Sequence, residues 1–280
     1  MCGVHDGPTV GLRSESIFIP STIHINMPVK KGRIKLWDLG SGLELDHVCA
    51  YLQETFPKLG CASPGPLVPP DRVLHFSKGL MSIRIPNLKR QELAGRKHTR
   101  KELNSVARIV RGDASKDDIL RNHFSGPSLQ HALGSRIGAD RFSDINIVLT
   151  SALASTWDRA DDRYRPRTVV CGFPSIVSTS GAVEGPDKPR GYQVARMMGL
   201  SDDEAKRKYS GRFLEHGDER LTEVVMGLAA QAVFYDLTGE PFCEAENCRL
   251  FNARWQEQLV KAHLEHGGIC DHHFRKLGIR

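Results

Sequence analysis

The amino-acid sequence predicts a mixed fold of the α/β or α+β class from three observations. An apolar run at Ile34–Leu39 is followed by a Gly-Ser-Gly turn and an amphipathic helix, so the chain begins with a strand and then a helix. A long helix predicted from Asp218 to about Leu237 is apolar on nearly every side, which is typical of a buried central helix. Cysteine and histidine residues in two close pairs follow that helix and predict a C-terminal subdomain.

Short extended pieces and helices alternate through the first half of the chain. Residues 1–32 mix glycine, proline and serine with short apolar pieces, so we interpret them as a loose N-terminal extension with a candidate strand at Ser16–Ile19. Apolar residues at helical spacing predict the first helix from about Glu44 to Thr55. Further strands are predicted at Arg72–Ser77 and Met81–Ile85, and further helices at about Gln91–Arg111, Ser115–Asn122 and Ser128–Ile137.

Apolar runs also predict the strands of the second half. They lie at Ile145–Leu149 and Thr168–Cys171, with a polar loop between them, and at Ile176–Ser180, before a loop rich in glycine and proline. A capping box at Ser201–Glu204 predicts a short helix, and Gly239 is expected to end the central helix. A last helix is predicted at Leu250–His263.

Composition restricts the class of protein. Hydrophobic residues make up 40% of the chain and charged residues 26%, which is ordinary for a soluble globular protein. No apolar run approaches the ~20 residues that cross a bilayer, and the first residues lack the basic and apolar parts of a secretory signal. We therefore expect a cytoplasmic protein with no membrane partner, in which the scattered Cys2, Cys49, Cys61 and Cys171 are reduced.

Positive charge is concentrated in one stretch. The net charge is +6, and Arg84–Arg111 contains nine lysine or arginine residues but only two acids. Such a stretch is either the solvated face of a basic helix or a contact for nucleic acid or another anionic partner. Few aromatic residues are interleaved with the charges, so nucleic acid is not the favoured interpretation.

Two close ligand pairs near the C-terminus predict a metal site. Four residues separate Cys243 from Cys248, and two separate Cys270 from His273. Two such pairs of thiolate and imidazole ligands, with a helix-length insert between them, are typical of a closed tetrahedral zinc site that stabilises a fold. We expect these residues to bind one structural Zn²⁺, with His272 as the alternative to His273. The other interpretation is three unrelated cysteines in a histidine-rich tail.

The spacing after the central helix resembles that of the archaemetzincins, zinc peptidases in which a catalytic HExxHxxGxxH segment runs directly into a C-x4-C pair. Ala232–Cys243 occupies this stretch without a gap, and Gly239 falls on the family's glycine. Cys248 completes the first structural pair, while Cys270 and His273 fall on the second, with histidine in place of its last cysteine. The chain also resembles an uncharacterised group of archaemetzincin-like proteins catalogued as metallopeptidases, on the stretches TSALASTWDRADDRYRPR, GFPSIVSTSGAVEGPDKPRGY and GEPFCEAENCRLFNARWQEQ.

This resemblance implies a metzincin-like twisted mixed sheet at residues 33–240 and a zinc-bound subdomain at residues 241–280. It does not extend to the catalytic residues. Ala232, Asp236 and Phe242 stand where the zinc-binding histidines would be, and Val233 stands where the general-base glutamate would be. Alanine, valine and phenylalanine neither hold a metal nor take a proton from water. Since the chain contains no other HExxH, the resemblance implies a degenerate peptidase.

The resemblance implies that the strand predicted at Ile176–Ser180 lines a substrate cleft. Most of the remaining candidate site residues therefore lie on the loops around this strand, and the others lie near the central helix. Glu184, Asp187 and Asp236 are the candidate catalytic carboxylates, and Glu215 and His216 could join Asp236 in a remade metal site. Clustered cations could bind an anionic ligand; they are Arg163, Arg165, Arg167, Lys188 and Arg190. The alternative is a surface loop ordered by salt bridges and prolines.

Three hypotheses for the function follow. The first is a cytoplasmic protein with a structural zinc that has lost peptidase chemistry and binds a peptide or an anionic ligand. The second is an active metal-dependent hydrolase with a non-standard site that uses Glu184, Asp187 or Asp236. The third is an anion or nucleic-acid binder that uses the basic stretch Arg84–Arg111.

Overall fold

The computed structural model describes residues 32–95, 97–138 and 143–277. The predicted N-terminal extension, apart from Gly32, and its candidate strand at Ser16–Ile19 lie outside these residues. None of the helices in the described ranges is both long and apolar enough to cross a membrane. Strands and helices are mixed throughout, which confirms the predicted fold class.

Five strands form the main sheet, in the spatial order β2-β1-β5-β9-β8. Strand β1 lies parallel to both β2 and β5, β9 lies parallel to β5, and β8 is an antiparallel edge strand. Every residue of β5 and β9 is buried, as is typical of parallel strands covered on both faces. The strands are β1 Arg33–Leu39, β2 Gly60–Pro66, β5 Ile145–Thr150, β8 Val169–Val170 and β9 Ser175–Ser178.

A second mixed sheet has the order β3-β4-β6-β7. Its inner pair, β4 and β6, is parallel, and both outer pairs are antiparallel. The sequence predicted a single sheet, because the segment that forms β6 and β7 is too polar to suggest strands. The strands are β3 Arg84–Ile85, β4 His123–Ser125, β6 Leu153–Asp158 and β7 Arg163–Pro166.

The helices cover the two sheets. A 3-10 turn at Pro70–Arg72 precedes the second helix, and a π-helical turn at Lys261–His266 follows the tenth. The helices are α1 Leu45–Thr55, α2 Val73–Met81, α3 Arg100–Arg111, α4 Lys116–Leu120, α5 Gly126–Ile137, α6 Thr179–Glu184, α7 Arg190–Met197, α8 Asp202–Lys208, α9 Leu221–Thr238, α10 Gln256–Val260 and α11 Asp271–Lys276.

Helix α9 is the buried centre of the molecule, as predicted. Its residues from Gly227 to Phe234 are all buried, and it packs against α1, α6 and the main sheet. Gly239 ends it with a backbone φ of 77°, a left-handed conformation that glycine adopts without strain. The capping box that begins α8 at Ser201 is also confirmed.

Several local predictions are wrong for physical reasons. Arg72–Ser77 is not a strand, because Val73, Ser77 and Leu80 recur at helical spacing and form the buried face of α2. The polar loop after β5 is the hairpin of β6 and β7, which turns at Asp162 with a positive φ of 49°. The last predicted helix begins only at Gln256.

One cysteine pair also differs from expectation. Cys49 on α1 and Cys61 on β2 form a disulfide, with their Cα atoms 5.6 Å apart. The expectation that both thiols are reduced is therefore wrong for this pair. Cys171 is a free thiol.

Gly227 allows α9 to pack closely against the C-terminal segment, residues 241–277. A Cβ at this position would overlap Nδ1 of the fully buried His263 and lie 2.8 Å from Nε of Arg249. Burial and, to a smaller extent, the charge of Arg249 lower the pKa of His263 to about 3, so its ring is neutral in the folded protein. The imidazole thus occupies the space that a side chain at residue 227 would need.

Replacing Gly227 by alanine should therefore destabilise the protein, although alanine favours helices. Overpacking of a filled core costs about 1–3 kcal/mol, which exceeds the gain in helix propensity of about 1 kcal/mol. Urea unfolding of Gly227→Ala measures this loss. Gly79→Ala is the matched control, since Gly79 lies in α2 with no atom within 4 Å of the added Cβ, and it should gain stability. Equal effects of the two variants would contradict the close packing.

Candidate metal centre and cleft

The two predicted ligand pairs meet in one cluster. The ligand atoms of Cys243, Cys248, Cys270 and His273 all lie within 4.8 Å of one another. The Sγ atoms of Cys243 and Cys270 are 3.9 Å apart, close to the ~3.8 Å expected between thiolates that share a tetrahedral Zn²⁺. Nδ1 of His273 lies 3.0 Å from Sγ of Cys270. We call these four residues the Cys3His cluster; their donor set and their spacing fit a metal ion.

Backbone contacts position the four ligands. Cys243 and Cys248 lie on the loop after α9, which closes through a hydrogen bond from Cys243 N to Leu250 O. Cys270 is the N-cap of α11, so the first turn of that helix carries His273 beside it. Two sulfur atoms also accept backbone N–H groups, Cys243 from Ala245 and Cys248 from Cys270. Such bonds orient thiolate ligands.

Burial and hydrogen bonds determine the protonation of the ligands in the Cys3His cluster. Burial raises the pKa of Cys248 to about 12 and raises the pKa of Cys243. Burial acts in the same direction on Cys270, but hydrogen bonds, foremost from the backbone of His273, bring its pKa below the usual value. Burial also lowers the pKa of His273 and keeps the imidazole neutral. A bound divalent cation converts such thiols to thiolates.

The structure separates the two histidine alternatives. His273 is buried within the Cys3His cluster, whereas His272 is exposed and is not one of the four clustered ligands. Spacing alone left this choice open, because both residues belong to the turn after Cys270.

The positions that correspond to a catalytic HExxH form no cluster of metal ligands among the described residues. Ala232 and Val233 are fully buried in the apolar core. Asp236 and Phe242 are partly exposed. Within the described ranges, the Cys3His cluster is the single group of three or more histidine, cysteine or acidic residues close enough to share an ion.

A cleft of about 400 Å³ opens at the carboxyl ends of the parallel strands. The residues that follow β1, β5 and β9 line it: Gly40–Gly42, Ser151, Thr179 and Ser180. Lys116, residues 216–219, Leu221 and Thr222 line its other walls. Strand β1 lies between β2 and β5, so the next two strands that the chain adds to this sheet are on opposite sides of β1. Ligands of open α/β sheets bind outside the strand ends at such a switch point.

A carboxylate and an imidazole meet beside this cleft. Nε2 of His216, which lines the cleft, lies 2.8 Å from Oε1 of Glu184. This hydrogen bond is the main cause that lowers the pKa of Glu184; burial opposes it, and Lys188 and Lys116 assist it. Glu184 is therefore an ionised partner that orients the ring.

The C-terminal segment holds these two residues together through Gln256. The Gln256 side chain is fully buried, and its Nε2 donates to the carbonyls of Ala182 and Val183, at 2.7 and 2.9 Å. Its Oε1 accepts the N–H of Leu214 at 3.1 Å. One amide therefore joins the residues just before Glu184 to the residue two before His216.

Two of the other predicted site residues, Arg165 and Arg167, form ion pairs with aspartates. Arg165 contacts Asp161 and Asp187, and Arg167 contacts Asp158. The remaining cations are spread out: Arg163 is exposed on β7, Arg190 stacks over the ring of Trp255, and Lys188 donates to Leu214 O. Asp236 and Asp187 are not among the residues that line the cleft.

The basic stretch Arg84–Arg111 is partly neutralised. Arg84 pairs with Glu102, Arg108 with Asp118, and Arg111 with Asp113. The hydrogen bond from Arg108 is the main cause that holds the pKa of Asp118 far below its usual range. Hydrogen bonds from Ser105 and Ser115 act in the same direction, and burial opposes them. The paired arginines serve to fix α3 and α4.

Comparison with known proteins identifies the family of the chain. No significant match was found among curated proteins or solved structures. The model of a probable metallopeptidase family, DUF6775, matches residues 33–279, which is nearly the whole chain. The chain therefore belongs to the probable metallopeptidase family DUF6775.

Proposed function

We propose that this chain is a zinc-binding member of its family that has lost the archaemetzincin type of hydrolysis and acts by binding a peptide or an anionic ligand. The observation that carries the proposal is the contrast between the Cys3His cluster and the positions that correspond to HExxH. The Cys3His cluster supplies four donors and thereby closes the coordination of a tetrahedral ion. Ala232 and Val233, at the HExxH positions, lie in the apolar core, where no ligand can reach them.

Zinc is the metal that fits the Cys3His cluster best. Three thiols and one imidazole are soft and borderline donors, and they favour Zn²⁺ over Mg²⁺ or Ca²⁺, which prefer oxygen. Once bound, the ion would supply folding energy by joining the loop after α9 to the start of α11. The residues hold no open coordination position for a water, so the role we propose for the metal is structural.

The cleft is the proposed binding surface. Its volume lies in the usual range for a small-ligand site, and its walls combine glycine backbone, hydroxyl groups, Lys116 and His216. The C-terminal segment contributes through Gln256, which fixes the residues beside Glu184 and His216. A structural metal that orders this segment would thus also support the cleft.

A peptide-cleavage assay tests the loss of hydrolysis. Purified protein is incubated with a library of quenched fluorogenic peptides, with added Zn²⁺ and, in parallel, with a chelator. We expect no turnover that depends on metal. Cleavage that the chelator abolishes and zinc restores would contradict the proposal.

One observation favours a second candidate function, acid–base hydrolysis by the Glu184–His216 pair. With Nε2–H donated to Glu184, Nδ1 is the nitrogen left to take a proton from water. In that case, Glu184→Gln should lower kcat about a hundredfold or more, in line with general-base catalysis. The control Glu257→Gln, at a half-buried position in α10 outside the cleft, should leave kcat unchanged. Absence of any turnover in the wild-type protein would reject this candidate.

A further inference from the structure

We propose that the cleft binds the anionic group of a small polar ligand, a carboxylate or a phosphate, with His216 as the anchor and Lys116 as the second cation. The inference deepens the proposed binding function and rests on it. It differs from the sequence-based prediction, which assigned anion binding to the arginines around β7. Those arginines are largely occupied by Asp158, Asp161 and Asp187.

Burial and a hydrogen bond fix the position of the His216 ring. Its side chain is only 17% exposed, and its Nε2 is bound to Glu184. Nδ1 has no hydrogen-bond partner among the described residues, while the residue itself lines the cleft. Because Nε2 is bound to Glu184, Nδ1 of the imidazolium form is the nitrogen that can donate to an anion in a charge-assisted hydrogen bond.

Lys116 adds the second positive charge. It begins α4 at the rim of the cleft, its side chain is exposed, and no acid within the described ranges forms an ion pair with it. Asp218, one of the acids in the lining, is instead paired with Arg220 at 2.7 Å. Glu219, also in the lining, is exposed to solvent, where water screens its repulsion of an anion.

Ser151 is the independent sign that a ligand belongs in the cleft. It lies directly after β5 in the lining, and only 8% of its surface is exposed. Its Oγ is buried and has no hydrogen-bond partner among the residues that the structure describes. A buried hydroxyl without a partner costs about 1–3 kcal/mol, a cost that an oxygen of a bound ligand would remove. The neighbouring hydroxyls of Ser178 and Thr179 are already bonded to backbone carbonyls.

The glycines of the cleft suit a ligand that approaches the backbone. Gly40 has a φ of 67°, and a Cβ there would lie 2.6 Å from Gly112 N, so the loop after β1 packs directly on the end of α3. By contrast, a Cβ at Gly42 would meet no atom within 4 Å. The open side of this loop therefore leaves space against Ser41 and Gly42, which both line the cleft.

Titration of the zinc-loaded full chain with two probes tests the proposal. Inorganic phosphate and N-acetylglycine, which carries the carboxylate of a peptide C-terminus, are added separately while the side-chain NMR signals of His216 are followed. We expect at least one probe to shift these signals in a saturable way. Saturation by phosphate alone assigns a phosphate-bearing ligand, and saturation by N-acetylglycine alone assigns a carboxylate.

Two lysine variants test whether binding of the probe depends on the charge of Lys116. Lys116→Met should weaken the binding of the active probe about fivefold, the upper range for a solvent-exposed ion pair. Lys101→Met removes an exposed charge from α3, outside the cleft, and should not change the affinity. Absence of a saturable shift with both probes, or equal weakening by the two variants, would overturn the proposal. Metal content and peptide cleavage are measured separately, so failure here is distinguishable from failure of the proposed function.

Discussion

Replacing Cys248 by alanine is expected to release the metal and to unfold the C-terminal segment. Cys248 is completely buried, and its Sγ also accepts the N–H of Cys270. Its loss would leave three ligands and an open position in a site that we propose to be closed. Structural zinc supplies on the order of 10 kcal/mol to small metal-dependent folds, so we expect a loss of at least about 5 kcal/mol here. Metal analysis and circular dichroism during urea unfolding measure the two effects.

Cys171→Ala is the matched control for this variant. Cys171 is a free thiol outside the Cys3His cluster, and burial raises its pKa to about 12, so it behaves as a small apolar residue. This variant should keep its metal and lose less than about 1.5 kcal/mol. A Cys248→Ala protein that retained its metal, or that was as stable as Cys171→Ala, would show that the Cys3His cluster does not hold the fold.

Replacing Gln256 by leucine is expected to cost about 3 kcal/mol and to loosen the Glu184–His216 contact. Leucine fills a similar volume but leaves the carbonyls of Ala182 and Val183 and the N–H of Leu214 without their partner. Each buried group left unpaired costs about 1–3 kcal/mol, and local rearrangement recovers part of the total. Urea unfolding measures the loss, and the NMR signals of His216 report the change at the cleft.

Gln53→Leu provides the comparison for Gln256→Leu. Gln53 is exposed on α1, so the same chemical change there should alter the free energy of unfolding by less than about 0.5 kcal/mol and leave His216 unchanged. If both leucine variants behaved alike, Gln256 would not be the link between the C-terminal segment and the cleft.

Local spacing was sufficient to predict the Cys3His cluster and α9. The ligands of each metal pair lie within one loop or one helical turn, and the apolar pattern of α9 depends on its own residues. Spacing favoured His273 but kept His272 as an alternative, since the choice depends on the direction of α11 relative to the loop that carries Cys243.

The cleft could not be predicted in the same way, because its parts are distant in the sequence. Glu184 and His216 are 32 residues apart, and Gln256 is 74 residues from Ala182. One signal was nevertheless present: glycine, serine or threonine follows each of three apolar runs, at Gly40–Gly42, Ser151 and Thr179–Ser180. That signal becomes informative once these runs are known to be parallel strands with their carboxyl ends at one edge.

The hairpin of β6 and β7 shows that a cluster of charges does not by itself identify a binding site. Its alternating arginine and aspartate residues looked like an anion-binding loop, but cross-strand and neighbouring contacts pair them with one another, as between Arg167 and Asp158. Trp157 and Tyr164 also pack edge to face across the hairpin, with ring centroids 5.1 Å apart. The charges therefore stabilise a surface hairpin.

The central claim, a closed structural zinc site, is tested most directly by X-ray absorption spectroscopy at the zinc edge. The protein is purified without added metal, and its metal content is measured. The account predicts one zinc per chain, coordinated by three sulfur atoms at about 2.3 Å and one nitrogen at about 2.0 Å. A second bound zinc, or a single zinc with fewer than three sulfur ligands and an added oxygen, would contradict a closed structural site.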